Sequence, residues 1–363
     1  MQWIPKRHAA AAQDAAVQNG KKGVAGNDRK SGRRRMRLRR LEKEEHGTTR
    51  KLYETVFSED SSSFVDYYYK EKTKENQIYV LEEDGGIRTM LHLNPYRMQV
   101  GPRQETLHYI VAVATEKAYR KRGYMGMVLK KAMEEMYQSG ESFTFLMPAS
   151  EKIYFPYGFR TVYQQCKKYV TEEEAKAGEP AEEKDCREMA ERVNACLKER
   201  YQIYARRDEG YYRRLLREYK SDGAALILYR KHGMLEDYGI LLPKTEPVPL
   251  KKPKIMIRII HLLRFLETLY LSQDVDFALE IEDPWIEANC GSVYLSGKKG
   301  GLLQVKPGDK SGKDRVKIEE LGAYLFGAMS LESWAGEAGF TQETIDGLQS
   351  IVPVSRIFLN ETV

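Results

Sequence analysis

The turn that precedes the amphipathic helix near the first third of the chain has the composition of a phosphate-binding site. Arg120, Lys121, Arg122 and Gly123 stand between a β-type run and that helix. A helix N-terminus offers unsatisfied N–H groups and a positive dipole end, which attract phosphate, and glycine lets the backbone approach a ligand closely. The pattern predicts a pyrophosphate-binding turn; a solvated helix start with an ordinary loop glycine is the alternative. The turn is neither a GxxxxGK[ST] nor a GxGxxG motif.

The elements on both sides of this turn are predicted from their periodicity. Apolar residues recur at helical spacing after it, at Met125, Val128, Leu129, Ala132, Met133 and Met136. Gly140 is placed to end that helix. Leu107–Thr115 and Phe143–Met147 are predicted strands on either side, and Asp84-Gly85-Gly86 predicts a hairpin between two earlier strands.

A second group of candidate residues follows the strand predicted at 143–147. Ser150, Glu151 and Tyr154 form the pattern S-E-x-x-Y, and an aromatic-rich stretch continues to Phe159. A phenol keeps its proton at pH 7 because its pKa is about 10. A tyrosine among aromatic residues is more often part of a core, so the motif, and not Tyr154 alone, makes this residue a candidate.

The first group of residues resembles the acetyl-CoA-binding motif of the GNAT acetyltransferases. The shared pattern is V-A-T-x-x-x-Y-R-x-R-G at 113–123, followed by the helix. The resemblance implies acetyl-CoA as cosubstrate, with the pantetheine arm lined by Val113, Ala114 and Thr115. It also implies that the pyrophosphate is wrapped by Lys121, Arg122, Gly123, Tyr124, Met125 and Gly126. Met125 stands where the superfamily usually has a small residue.

That bulky residue, the signature S-E-x-x-Y-x-x-x-G-[FY] at 150–159 and the three-part chain resemble the enhanced intracellular survival family. In that family Ser150 and Glu151 would lie beside the cofactor and Tyr154 would be the general acid. The α-carboxylate of the last residue, here Val363, would be the general base. The family resemblance also implies self-association into a homo-oligomer.

The resemblance implies an α+β chain in several parts. Residues 36–170 would form a GNAT acetyltransferase fold, a mixed sheet flanked by helices. Residues 171–253 would form a shortened central GNAT-like module and a linker, without a second cofactor motif. Residues 254–363 resemble sterol carrier protein, an α/β domain, at Asp283-Pro284 and Leu321-x-x-x-Leu325-Phe326-Gly327. The apolar run 255–271, interrupted by four polar residues, is predicted to be an amphipathic helix.

Composition narrows the class of protein further. The chain is 42% hydrophobic and 31% charged, as in soluble globular proteins, and it has no apolar run long enough to span a membrane. Four cysteines and six histidines show no metal-ligand spacing, so no metal site is predicted. We therefore expect a bacterial, cytoplasmic protein with reduced thiols.

The predicted reaction is acetyl transfer from acetyl-CoA to a primary amine. The acceptor would be an aminoglycoside-like or polyamine-like small molecule, or a lysine side chain, and acidic groups such as Glu361 would attract it. One alternative is a lipid- or sterol-binding protein that works through the last hundred residues. The other is a nucleic-acid-binding regulator that works through residues 1–35.

Deleting the basic tail would distinguish the nucleic-acid-binding alternative from the enzyme. Residues 1–35, predicted to be disordered, hold nine Lys or Arg and two acidic residues, or +7, which leaves 50 against 51, or −1, for the remainder. Such a tail could bind phosphates without reading sequence, but no aromatic-interleaved basic surface accompanies it. Deleting residues 1–35 is therefore expected to leave steady-state acetyl-CoA turnover unchanged. A large loss of turnover in that variant would contradict this interpretation.

Overall fold

The computed structural model describes residues 36–244, 252–308 and 312–361. The strands of the first part are β1 (Met36–Arg40), β2 (Gln77–Glu83), β3 (Gly86–Val100), β4 (Arg103–Thr115), β5 (Phe143–Leu146) and β6 (Arg160–Gln164). Those of the central part are β7 (Tyr169–Val170), β8 (Glu179–Pro180), β9 (Ile203–Ala205), β10 (Ala225–Lys231) and β11 (Met234–Leu241). The last part holds β12 (Lys254–Ile259), β13 (Val275–Glu282), β14 (Gly291–Gly297), β15 (Gln304–Pro307), β16 (Arg315–Lys317) and β17 (Ile357–Phe358).

The helices alternate with these strands along the chain. The α-helices of the first part are α1 (Arg50–Val56), α2 (Ser62–Lys70), α3 (Tyr124–Gln138) and α4 (Glu151–Tyr154). They are followed by α5 (Glu172–Ala175), α6 (Cys186–Arg200), α7 (Glu209–Ser221), α8 (Leu262–Leu266), α9 (Ile318–Leu325), α10 (Leu331–Ala338) and α11 (Gln342–Ser350). Short 3₁₀ helices lie at Lys43–Thr49, Lys72–Lys74, Lys117–Tyr119, Phe155–Tyr157, Glu183–Asp185 and Glu287–Asn289. Among the described residues, no helix combines the length and the apolar character needed to span a membrane.

The main sheet has nine described strands. Seven of them run in the order β1-β2-β3-β4-β5-β12-β6, in which β4 and β5 are the parallel pair, and β9 and β17 branch from β3. Helices cover both faces of the sheet. Tyr79 of β2 donates a hydrogen bond to Glu135 of α3, and its cross-strand partner Leu91 shares that face. The next residue, His92, points to the other face, where it is hydrogen-bonded to Tyr68 of α2. The predicted hairpin and the predicted cofactor helix are confirmed.

The helix predicted over residues 255–271 is wrong. Lys254–Ile259 forms β12, antiparallel to both β5 and β6, and only Leu262–Leu266 of that run is α-helical. Five of the six residues of β12 are buried, because both faces of this strand are covered. Such a strand has no polar–apolar alternation, so periodicity alone does not separate it from a helix. The last part of the chain therefore contributes a strand to the first sheet before its own sheet begins.

The central part is a small α/β unit with its own apolar core. Its sheet has the order β7-β11-β10-β8, and α6 and α7 pack on each other and on this sheet. β9 does not join it; β9 pairs instead with the end of β3 and, on its other side, with β17. This strand therefore ties the central part to the main sheet.

The last part builds a sheet of order β15-β14-β13-β16, and α11 packs on β13. After α11 the chain returns to the main sheet as β17, and the following residues Leu359, Asn360 and Glu361 are buried. The C-terminal segment therefore runs into the interior between the first and central parts.

Candidate active site

The main sheet opens at the junction of β4 and β5. These parallel strands pair only at Tyr109 and Ile110, whereas β4 continues to Thr115. Just past the paired residues, β4 bulges: its register against β3 shifts and Ala112 has a φ of +49°. A bulge of this kind bends a strand away from its neighbour. From residue 111 onward, the β5-side edge of β4 has no strand partner among the described residues, so its backbone can bond to a ligand.

The three residues predicted to line the pantetheine arm lie on this splayed part of β4. The side chains of Val113 and Ala114 are buried in the core. Thr115 is half-buried, and its hydroxyl is hydrogen-bonded to that of Thr89 at 2.7 Å. Any contact of Val113 and Ala114 with a cofactor would therefore be made by their backbone, and their binding role stays a prediction.

The basic turn between β4 and α3 contains two residues in the left-handed region. Lys121 has a φ of +62°, and Gly123, the N-cap of α3, has a φ of +79°. A Cβ added to Gly123 would meet no atom within 4 Å. Glycine is therefore needed here for its backbone conformation, and the space above the helix N-terminus is open. This is the geometry in which helix N–H groups can receive a phosphate.

Guanidinium groups surround the approach to this turn. Those of Arg88 and Arg122 lie over the Tyr119 ring, 4.5 and 4.6 Å from its centroid. Arg88 is also ion-paired with Glu116, and Arg120 donates to the carbonyl of Thr115. The turn is thus ordered by cation–π and hydrogen-bonding contacts and has a concentration of positive charge beside an open helix end.

The remaining residues of the predicted pyrophosphate turn have protein partners. Tyr124 donates its hydroxyl to Glu83 at 2.8 Å. Met125 is partly buried and packs on the core. Gly126 lies so close to Tyr157 that an added Cβ would be 3.2 Å from the ring. These side chains stabilise the turn, and any phosphate contact of this stretch would come from its backbone.

Tyr154, at the end of α4, is fully buried. Its hydroxyl has no hydrogen-bond partner within the described residues, and its ring packs edge-on against Phe159. Burial raises the pKa of Tyr154 well above its usual range, and the neighbouring Tyr157 and Tyr109 add to the shift. Leaving a buried hydroxyl unpaired costs about 1–3 kcal/mol. The hydroxyl, protonated and near the residue at which β4 leaves β5, is available to a ligand atom.

The other two residues of the S-E-x-x-Y pattern lie at the start of α4. Ser150 is exposed and makes no capping hydrogen bond. Glu151 accepts from the hydroxyl of Thr161 and is ion-paired with Lys254 at 2.6 Å. The Glu151 carboxylate therefore stabilises the junction with β6 and β12. The predicted cofactor contacts of Ser150 and Glu151 stay predictions.

Aromatic and charged side chains meet on the α2 face of the sheet. In this group, here called the tyrosine cluster, the Tyr96 ring lies 6.3 Å from Tyr109 and 6.4 Å from Tyr211. Glu361 accepts from Tyr211 at 2.5 Å and is ion-paired with Arg207 at 2.9 Å. These residues come from β3, β4, the loop between β9 and α7, α7 itself and the C-terminal segment. Of these residues, only Glu361 was a candidate in the sequence analysis. The others come together through the fold, which no local sequence pattern predicts.

Two polar residues of β3 lie on the same face as the tyrosine cluster. Asn94 is fully buried opposite Tyr109, and neither polar atom of its amide has a hydrogen-bond partner in the described ranges. His92 bonds through Nδ1 to Tyr68 at 2.8 Å, while its Nε2 is buried without a partner. Burial lowers the pKa of His92 to about 3. Buried polar atoms are normally paired, so this face has the properties of a ligand site.

Val363, the predicted general base, lies outside the described residues. In the part of the chain that the structure describes, no group of three or more His, Cys, Asp or Glu side chains is arranged to hold a metal ion. The four cysteines are free thiols.

Two domain families match this chain. Residues 37–162 match the acetyltransferase (GNAT) domain, and residues 262–360 match the sterol carrier protein domain. The first match contains the splayed strand, the basic turn and Tyr154. The protein is an acetyl-CoA-dependent acetyltransferase of the GNAT type. No curated protein sequence matches the chain.

Solved structures share the fold over most of the chain. A probable N-acyltransferase from Enterococcus faecalis has a TM-score of 0.70 at 16% identity, covering 90% of this chain and all of that one. A GCN5-related N-acetyltransferase from Anabaena variabilis has a TM-score of 0.69 at 14% identity, with 91% and 100% covered. Eis1 from Mycobacterium abscessus has a TM-score of 0.64 at 10% identity, with 90% and 100% covered. At these identities the likeness shows the three-part fold of this acetyltransferase.

The left-handed conformation of Gly123 predicts a graded effect on cofactor binding. A β-branched residue is strained at positive φ by roughly 1–3 kcal/mol, so Gly123→Val should weaken coenzyme A binding about tenfold or more. Gly123→Asn should weaken it less, because asparagine tolerates this region. Calorimetric titration with coenzyme A would measure both variants. Native affinity in Gly123→Val would show that the turn does not need this conformation.

Proposed function

We propose that this acetyltransferase moves the acetyl group from acetyl-CoA to a primary amine in a ternary complex, with Tyr154 as general acid. The observation that carries the proposal is the buried, unpartnered Tyr154 hydroxyl beside the opening between β4 and β5. The amine would belong to an aminoglycoside-like or polyamine-like small molecule, or to a lysine side chain. The likeness to Eis1 in fold supports a place in the enhanced intracellular survival family at the level of architecture.

Acetyl-CoA would bind along the splayed edge of β4, with its pyrophosphate at the start of α3. Residues 113–115 offer backbone groups to the pantetheine arm, and the turn at 121–126 offers helix N–H groups to the pyrophosphate. Backbone N–H groups fixed beside the bulge would stabilise the oxyanion that develops on the thioester. Fixed donors of this kind need little reorganisation as the charge forms.

Tyr154 would protonate the sulfur as the thiolate leaves. A free thiol has a pKa of about 8.5, below that of a phenol, so in water the transfer from tyrosine would be unfavourable. Burial disfavours both anions, and it therefore raises the pKa of a thiolate in this pocket as well as that of Tyr154. The phenol also remains protonated at pH 7, in the form a general acid requires.

The acceptor ammonium must lose a proton before it attacks, and the described residues supply few candidates for the base. His92 is buried and bonded through Nδ1 to the Tyr68 hydroxyl. The Glu361 carboxylate is engaged by Arg207 and Tyr211. We assign the base to the α-carboxylate of Val363, as the resemblance to the enhanced intracellular survival family implies.

The tyrosine cluster would receive the acceptor amine. After burial itself, the negative charges of Glu361 and Glu218 raise the pKa of Tyr109 and of Tyr96. Both carboxylates therefore act on the same face of the sheet as the buried Asn94 amide. The oxygen of that amide can accept from the N–H groups of an amine. This buried polar group favours an amine over an apolar acceptor.

Replacing Tyr154 with phenylalanine tests the acid role. Tyr154→Phe should retain coenzyme A binding by calorimetry and lose kcat by roughly 10²- to 10³-fold, the usual size of general acid–base effects. Turnover would be measured with acetyl-CoA and a panel of polyamines and aminoglycosides. Tyr324→Phe is the matched control, because Tyr324 is also buried but donates to the Leu348 carbonyl in the last domain. Unchanged turnover in Tyr154→Phe would exclude the role.

Extending the chain past Val363 tests the base. A short C-terminal tag moves the carboxylate away and should lower turnover at least ~10²-fold, with coenzyme A binding retained. The same tag placed at the N-terminus should have no effect. If the C-terminally tagged enzyme is fully active, Val363 does not supply the base.

A further inference from the structure

The glycine of the S-E-x-x-Y-x-x-x-G signature lies against a residue one hundred positions later in the chain. Gly158 has a φ of +81°, and a Cβ at this position would lie 3.2 Å from Nε of Arg258. Arg258, in β12, is fully buried and donates through Nε to the carbonyl of Tyr157 at 2.9 Å. Glycine is therefore needed for its conformation and for the space that the guanidinium occupies. The turn that carries Tyr154 is shaped around Arg258.

Arg258 is held in turn by the last domain. Its Nη2 forms an ion pair with Oδ1 of Asp283 at 2.5 Å, and both side chains are inaccessible to solvent. Asp283 follows β13 and also accepts the backbone N–H groups of Trp285 and Ile286 and the side-chain amide of Asn289. A buried ion pair is tolerated when further hydrogen bonds satisfy its charges, as they do here.

Trp285 makes a second contact from the same turn. Its indole N–H donates to the carbonyl of Pro156 at 2.9 Å, and its ring lies 4.8 Å from that of Tyr157. Tyr157 packs in turn on Gly126, in the first turn of α3. The 283–285 turn therefore contacts the segment that carries Tyr154 and, through Tyr157, the start of the cofactor helix.

The turn that carries Tyr154 also has backbone hydrogen bonds of its own. The N–H of Gly158 bonds to the Phe155 carbonyl at 3.1 Å, and that of Phe159 to the Tyr154 carbonyl at 3.3 Å. The contacts from Arg258 and Trp285 are shorter. The position of the Tyr154 hydroxyl therefore depends on residues outside the GNAT-matching segment.

We propose that Arg258, Asp283 and Trp285 are positioning residues, through which the sterol carrier protein-like domain keeps the Tyr154 hydroxyl in place for proton transfer. The proposal rests on the proposed function, in which Tyr154 is the general acid. None of the three needs to touch the substrate. A displacement of 1 Å at a reacting group can cost about 100-fold in rate, so a modest loosening of the turn is measurable.

Trp285→Phe is the sharpest test, because it removes one hydrogen bond and keeps an aromatic ring. Replacing Arg258 is less suitable, because it would leave the Asp283 carboxylate buried without its ion-pair partner. This variant should lower kcat about tenfold, and amide hydrogen exchange of residues 151–159 should become faster. Trp334→Phe is the matched control, since Trp334 donates its indole N–H to Glu320 within the same domain. Trp334→Phe should change neither kcat nor the hydrogen exchange of residues 151–159. Native kcat in Trp285→Phe would overturn the proposal.

A double-mutant cycle separates positioning from a general loss of structure. If Trp285 acts through the Tyr154 hydroxyl, Trp285→Phe should cost almost nothing further in the Tyr154→Phe background. If the fold-losses in kcat of the two single variants multiply in the double variant, the proposal is overturned. A fully active Tyr154→Phe enzyme would overturn the general-acid role, and this proposal with it. An impaired Tyr154→Phe beside an unimpaired Trp285→Phe would overturn this proposal alone.

Discussion

The whole site depends on the failure of β4 to remain paired with β5. A parallel pair that continued past Ile110 would satisfy the backbone of residues 111–115 and leave nothing for a ligand to bond. The bulge at Ala112 turns the strand away and opens that edge. Because β4 leads directly into the basic turn and α3, the same bend that frees the backbone also aims the helix N-terminus. In the proposed mechanism, cofactor binding and thioester polarisation therefore share one structural cause.

The three parts of the chain are joined by strand pairing around the main sheet, so they form one unit and not linked modules. β12 lies between β5 and β6, so the last part supplies a strand to the sheet that opens. β9 and β17 extend the other side from the end of β3, and they bring Arg207 and Glu361 to the tyrosine cluster. A chain cut at either of the predicted boundaries would lose part of the site wall. The GNAT-matching segment alone holds the cofactor elements but not the surroundings of the acceptor.

Local patterns predicted the parts of the structure that local physics determines. The hairpin after β2, the periodicity of α3, Gly140 beyond its end and the cofactor turn all depend on residues close in sequence. The run 255–259 was misassigned because Arg258 looked like the polar face of a helix, whereas its charge is neutralised by Asp283 from the turn after β13. Asn94, Tyr96 and Tyr211 were missed for the same reason. Their roles arise from strand pairing and helix packing, which no neighbouring residue encodes.

The unpaired polar atoms around the site show what it costs the fold. The Tyr154 hydroxyl, the Asn94 amide and Nε2 of His92 are buried without partners among the described residues, and each such group destabilises a protein by about 1–3 kcal/mol. Proteins tolerate this cost at sites whose polar atoms must bind a ligand. Apolar residues at these positions would remove the penalty, and with it the groups that can bond to a thioester and an amine. A bound ligand satisfies them instead, so binding should stabilise this region more than its contact area alone suggests. The ion pairs of Arg258 and Arg207 with residues distant in sequence agree with this interpretation. A site with unpaired polar atoms needs rigid contacts from the surrounding structure to keep its geometry.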